Sequence, residues 1–212
     1  MEVFVKKNIV YSDIKKKIIT GEFAQGEGLN EKDLTEIFKV SRTPIREALN
    51  ILELEGWIKS VPRKGYVVSS ITFSDIKDLF QIRYELEPVF LSMAFNFFEK
   101  EVLIALKERI QNLIEKEDYD ALRLLDDEFH SYLIESTYNS FAIKTMESIN
   151  DHISRTRYLT FRDKKETFDS AYDHIEIIDA LIEKNLEKAI KILRSHIDKS
   201  QLYFLRNFNF KG

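Results

Sequence analysis

The run Val40-Ser41-Arg42-Thr43-Pro44-Ile45-Arg46-Glu47-Ala48-Leu49 constrains the fold more than any other stretch of this chain. Ile45, Ala48, Leu49 and, one turn on, Leu52 recur at helical spacing and form a single apolar stripe. Pro44 falls in the first turn, where a missing N–H costs little, and Ser41 stands where an N-cap belongs. Arg42 and Arg46 lie four apart on the opposite face, with Thr43 beside them. A helix buried on one side, with two cations near its N-terminal end, has the layout of one that reads a major groove.

The flanking segments fit that layout. Asn30 can cap a short helix over Glu-Lys-Asp-Leu-Thr-Glu-Ile-Phe, whose acidic first turn suits the helix dipole. Lys39-Val40 is the tight turn, so the segment from Asn30 to Glu55 reads as helix-turn-helix. Gly56 ends the second helix. Trp57-Ile58-Lys59-Ser60-Val61 and Tyr66-Val67-Val68 then read as two strands joined by Pro62-Arg63-Lys64-Gly65. A hairpin tip carrying Arg63, Lys64 and Gly65 suits a basic wing laid along phosphates, the glycine admitting close backbone approach. An ordinary small α+β domain with a solvated basic turn is the bland alternative.

These pieces resemble the winged helix-turn-helix domain of the GntR family of bacterial transcription regulators, over residues 10–69. The resemblance rests on Tyr11, Ile14, Ile18-Ile19 and Gly21, on Gly28-Leu29-Asn30-Glu31 with Leu34, on the run from Val40 to Leu49, and on Leu52-Glu53, Glu55-Gly56-Trp57-Ile58 and Gly65-Tyr66-Val67-Val68. Where the family usually has Pro-Gly before its second helix, this chain has Glu27-Gly28, a change in loop stiffness away from the reading face. The resemblance implies that Arg42, Thr43 and Arg46 contact DNA, that Lys32 and Ser41 help anchor it, and that Gly65 sits at the wing tip.

A net charge of −4 looks wrong for such a role until the chain is divided. Residues 1–70 carry 12 Lys and Arg against 10 Asp and Glu, leaving 20 against 26 in the remainder. Binding follows the local patch rather than the total. The chain has 44% hydrophobic and 32% charged residues, which is globular. No apolar run approaches the roughly 18–20 residues of a membrane span, and the N-terminus lacks a signal-peptide pattern, so a cytoplasmic protein is expected. With no cysteine, disulfides and thiolate metal sites are excluded, and four histidines are the only soft ligands.

After residue 72 the chain changes character. Ser74 can cap a helix from Asp75, only Pro88 interrupts the helical pattern from there on, and glycine does not recur until Gly212. Breaks near Glu99-Lys100, Glu117-Asp118, Thr137-Tyr138-Asn139, Arg162-Asp163-Lys164-Lys165 and Lys184-Asn185 leave about six antiparallel helices. The expected protein is mainly α: a winged helix-turn-helix domain over residues 1–72, then an all-α antiparallel bundle over residues 73–212.

This bundle carries polar groups on its apolar stripes. Leu122, Phe129 and Leu133 mark one core stripe; Asp126 sits on it and His130 comes one turn later, a spacing that lets both grip one ion. His174 shares a stripe with Ala171, Ile175, Ile178 and Leu181, and His196 with Ala189, Ile192 and Leu193. Their midpoint is Asn185, so an antiparallel helix hairpin sets them level, about 16 Å from its turn. Four inward donors make a plausible metal cage; separately, each histidine reads as a hydrogen-bonded core residue. His152 lies with Thr145, Ser148 and Arg155 on a polar stripe and reads as surface.

Asp126-Asp127-Glu128-Phe129-His130 also matches the Asp-x-x-Phe-His pattern of the FCD ligand-sensing domain, the effector half of the FadR subfamily of GntR regulators. That resemblance covers residue 75 to about 208. It implies a divalent ion, commonly zinc or nickel, held by Asp126, His130, His174 and His196, with positions left for a carboxylate effector. Arg83 falls mid-stripe among Ile76, Leu79, Phe80, Leu86 and Phe90, and a buried guanidinium needs an anion. Glu87, four residues on, can supply it; an effector carboxylate is the other reading, favoured by an Arg-x-x-x-Glu pattern in the domain's first helix. Arg157, on a stripe with Met146, Ile149 and Ile153, is a second effector candidate.

The expected function is a metal-containing regulator that binds operator DNA as a homodimer and responds to a small organic acid. One winged head covers only a few base pairs, so two heads on a two-fold axis are expected. A purely structural or metal-sensing site is the alternative. A metal-dependent hydrolase would want a general base at the usual helical spacing, which is lacking, and would leave the head unexplained.

Overall fold

The computed structural model describes residues 2–63, 65–160 and 164–207. The chain divides into two compact units, Met1–Thr72 and Phe73–Gly212.

The first unit runs α1 (Glu2–Ile19), β1 (Gly28–Leu29), α2 (Glu31–Phe38), α3 (Arg42–Leu54), β2 (Ile58–Val61) and β3 (Gly65–Val68). Its core joins Val10, Ile14 and Ile18 from α1, spaced one turn apart, to Ile45, Ala48, Leu49 and Leu52 of α3, with Trp57 and Val68 closing it. The sheet is antiparallel in the order β1-β3-β2, with Ile58 opposite Val68 and Val61 opposite Gly65. The short strand β1, absent from the sequence reading, pairs Gly28 with Val67 and Leu29 with Tyr66. Two residues are too few to show an alternating pattern, which makes the strand illegible from sequence.

Asn30 caps α2 by accepting a hydrogen bond from the Lys32 N–H at 2.9 Å. Ser41 differs from expectation. It occupies the N-cap position of α3 with extended backbone, but its side chain makes no capping bond. An N-cap oxygen normally accepts from the second or third helical N–H, and Pro44, third in α3, has none to give.

The second unit consists of α4 (Phe73–Ala94), α5 (Lys100–Glu115), α6 (Tyr119–Glu135), α7 (Ser140–Thr160), α8 (Lys164–Ile182) and α9 (Leu186–Asn207). Helix α4 begins at Phe73, so Ser74 lies in its first turn rather than capping it, and it continues through the buried Pro88. Several helix ends use left-handed residues other than glycine: Glu117, Tyr138 and Lys184 here, and Lys39 in the first unit, where Gly56 follows α3 instead. Helix α8 closes with Asn185 N–H donating to Ala180 O at 2.8 Å and Lys184 N–H to Leu181 O at 3.1 Å. That turn folds α9 back along α8. Ala171, Ile178 and Leu181 of α8 and Ala189, Leu193 and Ile197 of α9 are all buried in the core.

Because Asn30 is bonded and Ser41 is not, the same substitution separates these two N-caps of the first unit. Asn30→Ala should lower the unfolding free energy by about 1 kcal/mol. Ser41→Ala should leave it almost unchanged. Chemical denaturation of both variants provides the comparison.

Candidate functional site

On the first unit, the N-termini of α2 and α3 and the β2–β3 turn surround a surface depression of about 410 Å³ lined by Asn30, Lys32, Arg42, Arg63, Gly65 and Tyr66, among others. Three of the cations expected at DNA thus share one hollow. Ser41, Arg42 and Thr43 are exposed at the start of α3, beside it. Arg63 adopts φ +65° and Gly65 φ +80°, which bends the hairpin tip tightly. A Cβ built on Gly65 would sit 3.6 Å from Leu29 O, so the backbone path rather than crowding explains the glycine. Lys64 lies outside the described residues. Arg46 is exposed, but its Nε donates to both Glu31 oxygens at 2.9 Å. From sequence, Glu31 is only a helix-dipole residue; the partnership is between helices and leaves no mark in local spacing.

In the second unit, α6 supplies Asp126 and His130, α8 His174 and α9 His196, all four almost wholly buried. One donor atom from each can be chosen so that all lie within 4.8 Å of one another. The three Nε2 atoms converge: His130 to His196 at 3.1 Å, and His174 to His196 at 3.4 Å. Asp126 Oδ1 stands 3.5 Å from His174 Nε2, and Oδ2 4.0 Å from His130 Nε2. Bonds of ~2.0–2.1 Å to one ion imply donor–donor separations of ~2.9–3.4 Å; the imidazole spacings of 3.1 and 3.4 Å fall in that range, and the Asp126 spacings of 3.5 and 4.0 Å lie beyond it.

The outer ring atoms strengthen that fit. His130 Nδ1 is 2.9 Å from Glu87 Oε2, which can only accept when ionised, so Nδ1 carries the proton and Nε2 presents its lone pair inward. Ser170 donates to Asp126 Oδ1 at 2.8 Å, and the Phe129 ring stacks on His174 with centroids 4.2 Å apart. Burial pushes the Asp126 carboxyl up, but Arg157 and the histidines outweigh it and hold it well below the carboxylate range. Burial drives His174 well below the ordinary imidazole value, and lowers His196 as well. Both are therefore neutral near pH 7. Neutral imidazoles whose Nε2 atoms face one another need a proton or a cation between them.

Both candidate arginines are buried, and both have anions already. Arg83 Nε donates to Glu87 Oε1 at 2.5 Å, and its Nη2 stands 3.2 Å from each ring nitrogen of His130. The internal pairing with Glu87 therefore satisfies the guanidinium without an external carboxylate. Arg157 pairs with both Asp126 and Asp127. Asp127 has no role in the sequence reading, although it adjoins a proposed ligand. His152 is half-buried rather than surface, and Arg155, placed on its polar stripe, is only 1% exposed. Burial pushes the Arg155 guanidinium down to about 10. The polar stripe of α7 is thus partly inside the bundle, where polarity alone misjudges exposure.

Next to the cluster is a small cavity lined by Arg123, Asp126, Arg157, Glu166, Ser170 and His174, among others, with about 20 Å³ of room. That suffices for an ion or a water molecule. Among the described residues, no helix is long and apolar enough to cross a membrane.

The first unit matches the model of bacterial regulatory proteins, gntR family, over residues 6–68, and the second matches the FCD domain over residues 78–199. The chain belongs to the GntR family. It is 30% identical over 193 residues to the uncharacterized HTH-type transcriptional regulator YdhC of Bacillus subtilis, covering 89% of this chain and 86% of that protein. It is 27% identical to the Nta operon transcriptional regulator of Aminobacter aminovorans, covering 85% and 86% respectively. A GntR regulator structure from Rhodococcus sp. RHA1 superposes with a TM-score of 0.81 at 22% identity, covering 97% of this chain and 100% of that one. This GntR regulator is thus a DNA-binding transcription factor with an FCD domain, like its relatives, which are regulators rather than enzymes.

Arg42 at the start of α3 and Arg63 on the hairpin are expected to meet DNA differently, and substitution tests the difference. Arg42→Ala should cost ~1–3 kcal/mol of specific DNA affinity and relax base preference. Arg63→Ala should weaken binding to all sequences alike and reduce the salt slope by about 1. Binding isotherms at several salt concentrations check both.

The histidines set a pH dependence. His174 and His196 have folded values below the unfolded value near 6.5, so the unfolded chain binds more protons. Their contribution is fully present above pH ~6.5 and is lost as pH falls through the folded values. Melting of metal-free protein should move to lower temperature between pH 7 and 5, and less so in His174→Gln.

Proposed function

We propose that this GntR regulator controls its operator affinity through a small carboxylate effector received at a divalent-metal site formed by Asp126, His130, His174 and His196. The observation supporting this reading most directly is the inward convergence of three Nε2 atoms and one carboxylate inside the domain fused to the DNA-binding head. A donor set of one carboxylate and three imidazoles suits zinc or nickel. Such an ion, when bound, supplies a net positive charge and open coordination positions for a carboxylate.

The chain's own residues do the rest. Glu87 holds the His130 ring with Nε2 inward, and Arg83 neutralises Glu87. Ser170 steadies Asp126. Arg157, lining the cavity, is the residue positioned to meet an acid, since a guanidinium presents paired donors to a carboxylate. On DNA, Lys32, Ser41 and Arg63 anchor the backbone, with Lys64 and Gly65 completing the wing, while Arg42, Thr43 and Arg46 reach base edges. The regulator acts as a homodimer in the cytoplasm, two heads reading a near-palindromic operator.

A second reading, in which the metal only staples helices α6, α8 and α9 or is itself the signal, is favoured by the cavity's small size. Hydroxy-, keto- and sugar acids titrated against zinc-loaded protein separate the two. The sensor reading expects at least one acid to raise the melting temperature and change affinity for a selected operator by ~1–3 kcal/mol of coupling. Both responses should disappear on chelation. Stabilisation by zinc with no acid response supports the staple.

A further inference from the structure

The cage has an inner and an outer shell, and the outer shell is unequal. His130 is held from behind by a completed chain: Nδ1 to Glu87 Oε2 at 2.9 Å, then Glu87 Oε1 to Arg83 Nε at 2.5 Å, all buried. His196 has the same parts, arranged differently. Its Nδ1 is buried and has no hydrogen-bond partner among the described residues. A carboxylate oxygen, Asp173 Oδ2, stands 3.6 Å away, which is beyond hydrogen-bond reach. Asp173 is drawn elsewhere: Lys199 Nζ donates to Oδ1 at 2.7 Å and to Oδ2 at 3.0 Å. Lys199 is itself well exposed, and it lines with Asp173, His196, Ser200 and Tyr203 an open hollow of about 410 Å³.

A buried ring nitrogen without a partner is costly in either tautomer, so the pressure on His196 to find one is substantial. Among the described residues, Asp173 is the carboxylate that stands beside this outer nitrogen and stops short of bonding it. We propose that Asp173 is the positioning residue for His196, fixing Nδ1–H outward and Nε2 inward, and that Lys199 competes for it. The inference rests on the metal reading under Proposed function. It adds that metal affinity answers to an ion pair at the mouth of the site. Closing the 3.6 Å gap commits His196 to ligation; the Lys199 pairing holds it back. Glu87 is placed differently, because its cation is buried and lies on its own helix.

The test uses the full-length protein. Zinc and nickel affinities are measured by competition with a chelating dye, and histidine tautomers are read from two-bond ¹H–¹⁵N correlations of the imidazole rings in metal-free protein. Asp173→Ala should weaken metal binding about 10–100-fold, the usual effect of removing an outer partner. It should also shift His196 away from the Nδ1–H tautomer. Asp173→Glu should restore most of both, which separates positioning from a general loss of packing. Lys199→Met should tighten the metal and enrich the Nδ1–H form of His196, with His130 unchanged. Wild-type affinity and tautomers in Asp173→Ala would overturn the assignment, as would weaker metal binding in Lys199→Met. A wild-type protein that binds neither ion would instead sink the cage itself, a failure visible before any variant is made.

Discussion

The constraint on which the second unit depends is the mutual repulsion of donor atoms packed at its centre. Three imidazole nitrogens and a carboxylate occupy positions where leucine would cost nothing to bury. Desolvation alone makes such a cluster unfavourable by several kcal/mol unless a cation or a set of hydrogen bonds compensates. The surrounding charges show how the bundle meets this cost. Arg157 leans on Asp126 and Asp127, Arg83 lies against Glu87 and His130, and Ser170 donates to Asp126. Helices α6 and α8 are thereby tied to neighbours by polar contacts in addition to their apolar stripes, and the Lys199–Asp173 pair ties α9 to α8.

The DNA-binding head uses a different electrostatic device. Arg46 is exposed and pre-paired with Glu31 across two helices. A surface pair of this kind contributes ~0–1 kcal/mol, so a base edge or phosphate can displace Glu31 at little cost. Until then the carboxylate fixes the guanidinium plane, which reduces the entropy lost on contact. Arg46 is thus held in one place by a carboxylate of the neighbouring helix.

Helix-turn-helix, wing and six-helix bundle were all legible, because each rests on local periodicity and on breaks the chain marks with polar dipeptides. The level placement of His174 and His196 was legible too, since an antiparallel hairpin with its turn at Asn185 fixes it by arithmetic. What stayed hidden is non-local. Strand β1 was too short for a pattern, and Ser41 lost its capping bond to a proline three residues on. Arg155 followed a polar stripe into the interior. The partners of His130, Arg46 and Arg157 come from other helices. Asp173 adjoins a candidate ligand in sequence, yet its bonded partner is Lys199 of the facing helix, which also carries His196.

These hidden partners decide what the chamber can receive. Counted by sequence, Arg83 has Glu87 within reach on its own helix, while Arg157 awaits an anion. Counted by geometry, Arg83 is neutralised by Glu87 on its own helix. Arg157 is different, because one of its two carboxylates is Asp126, whose Oδ2 faces the guanidinium outside hydrogen-bond geometry. A cation drawing on Asp126 would compete with Arg157 for the same oxygens and leave that guanidinium short of negative charge. On the reading proposed above, recruitment of an acid would then follow from the filling of the cage.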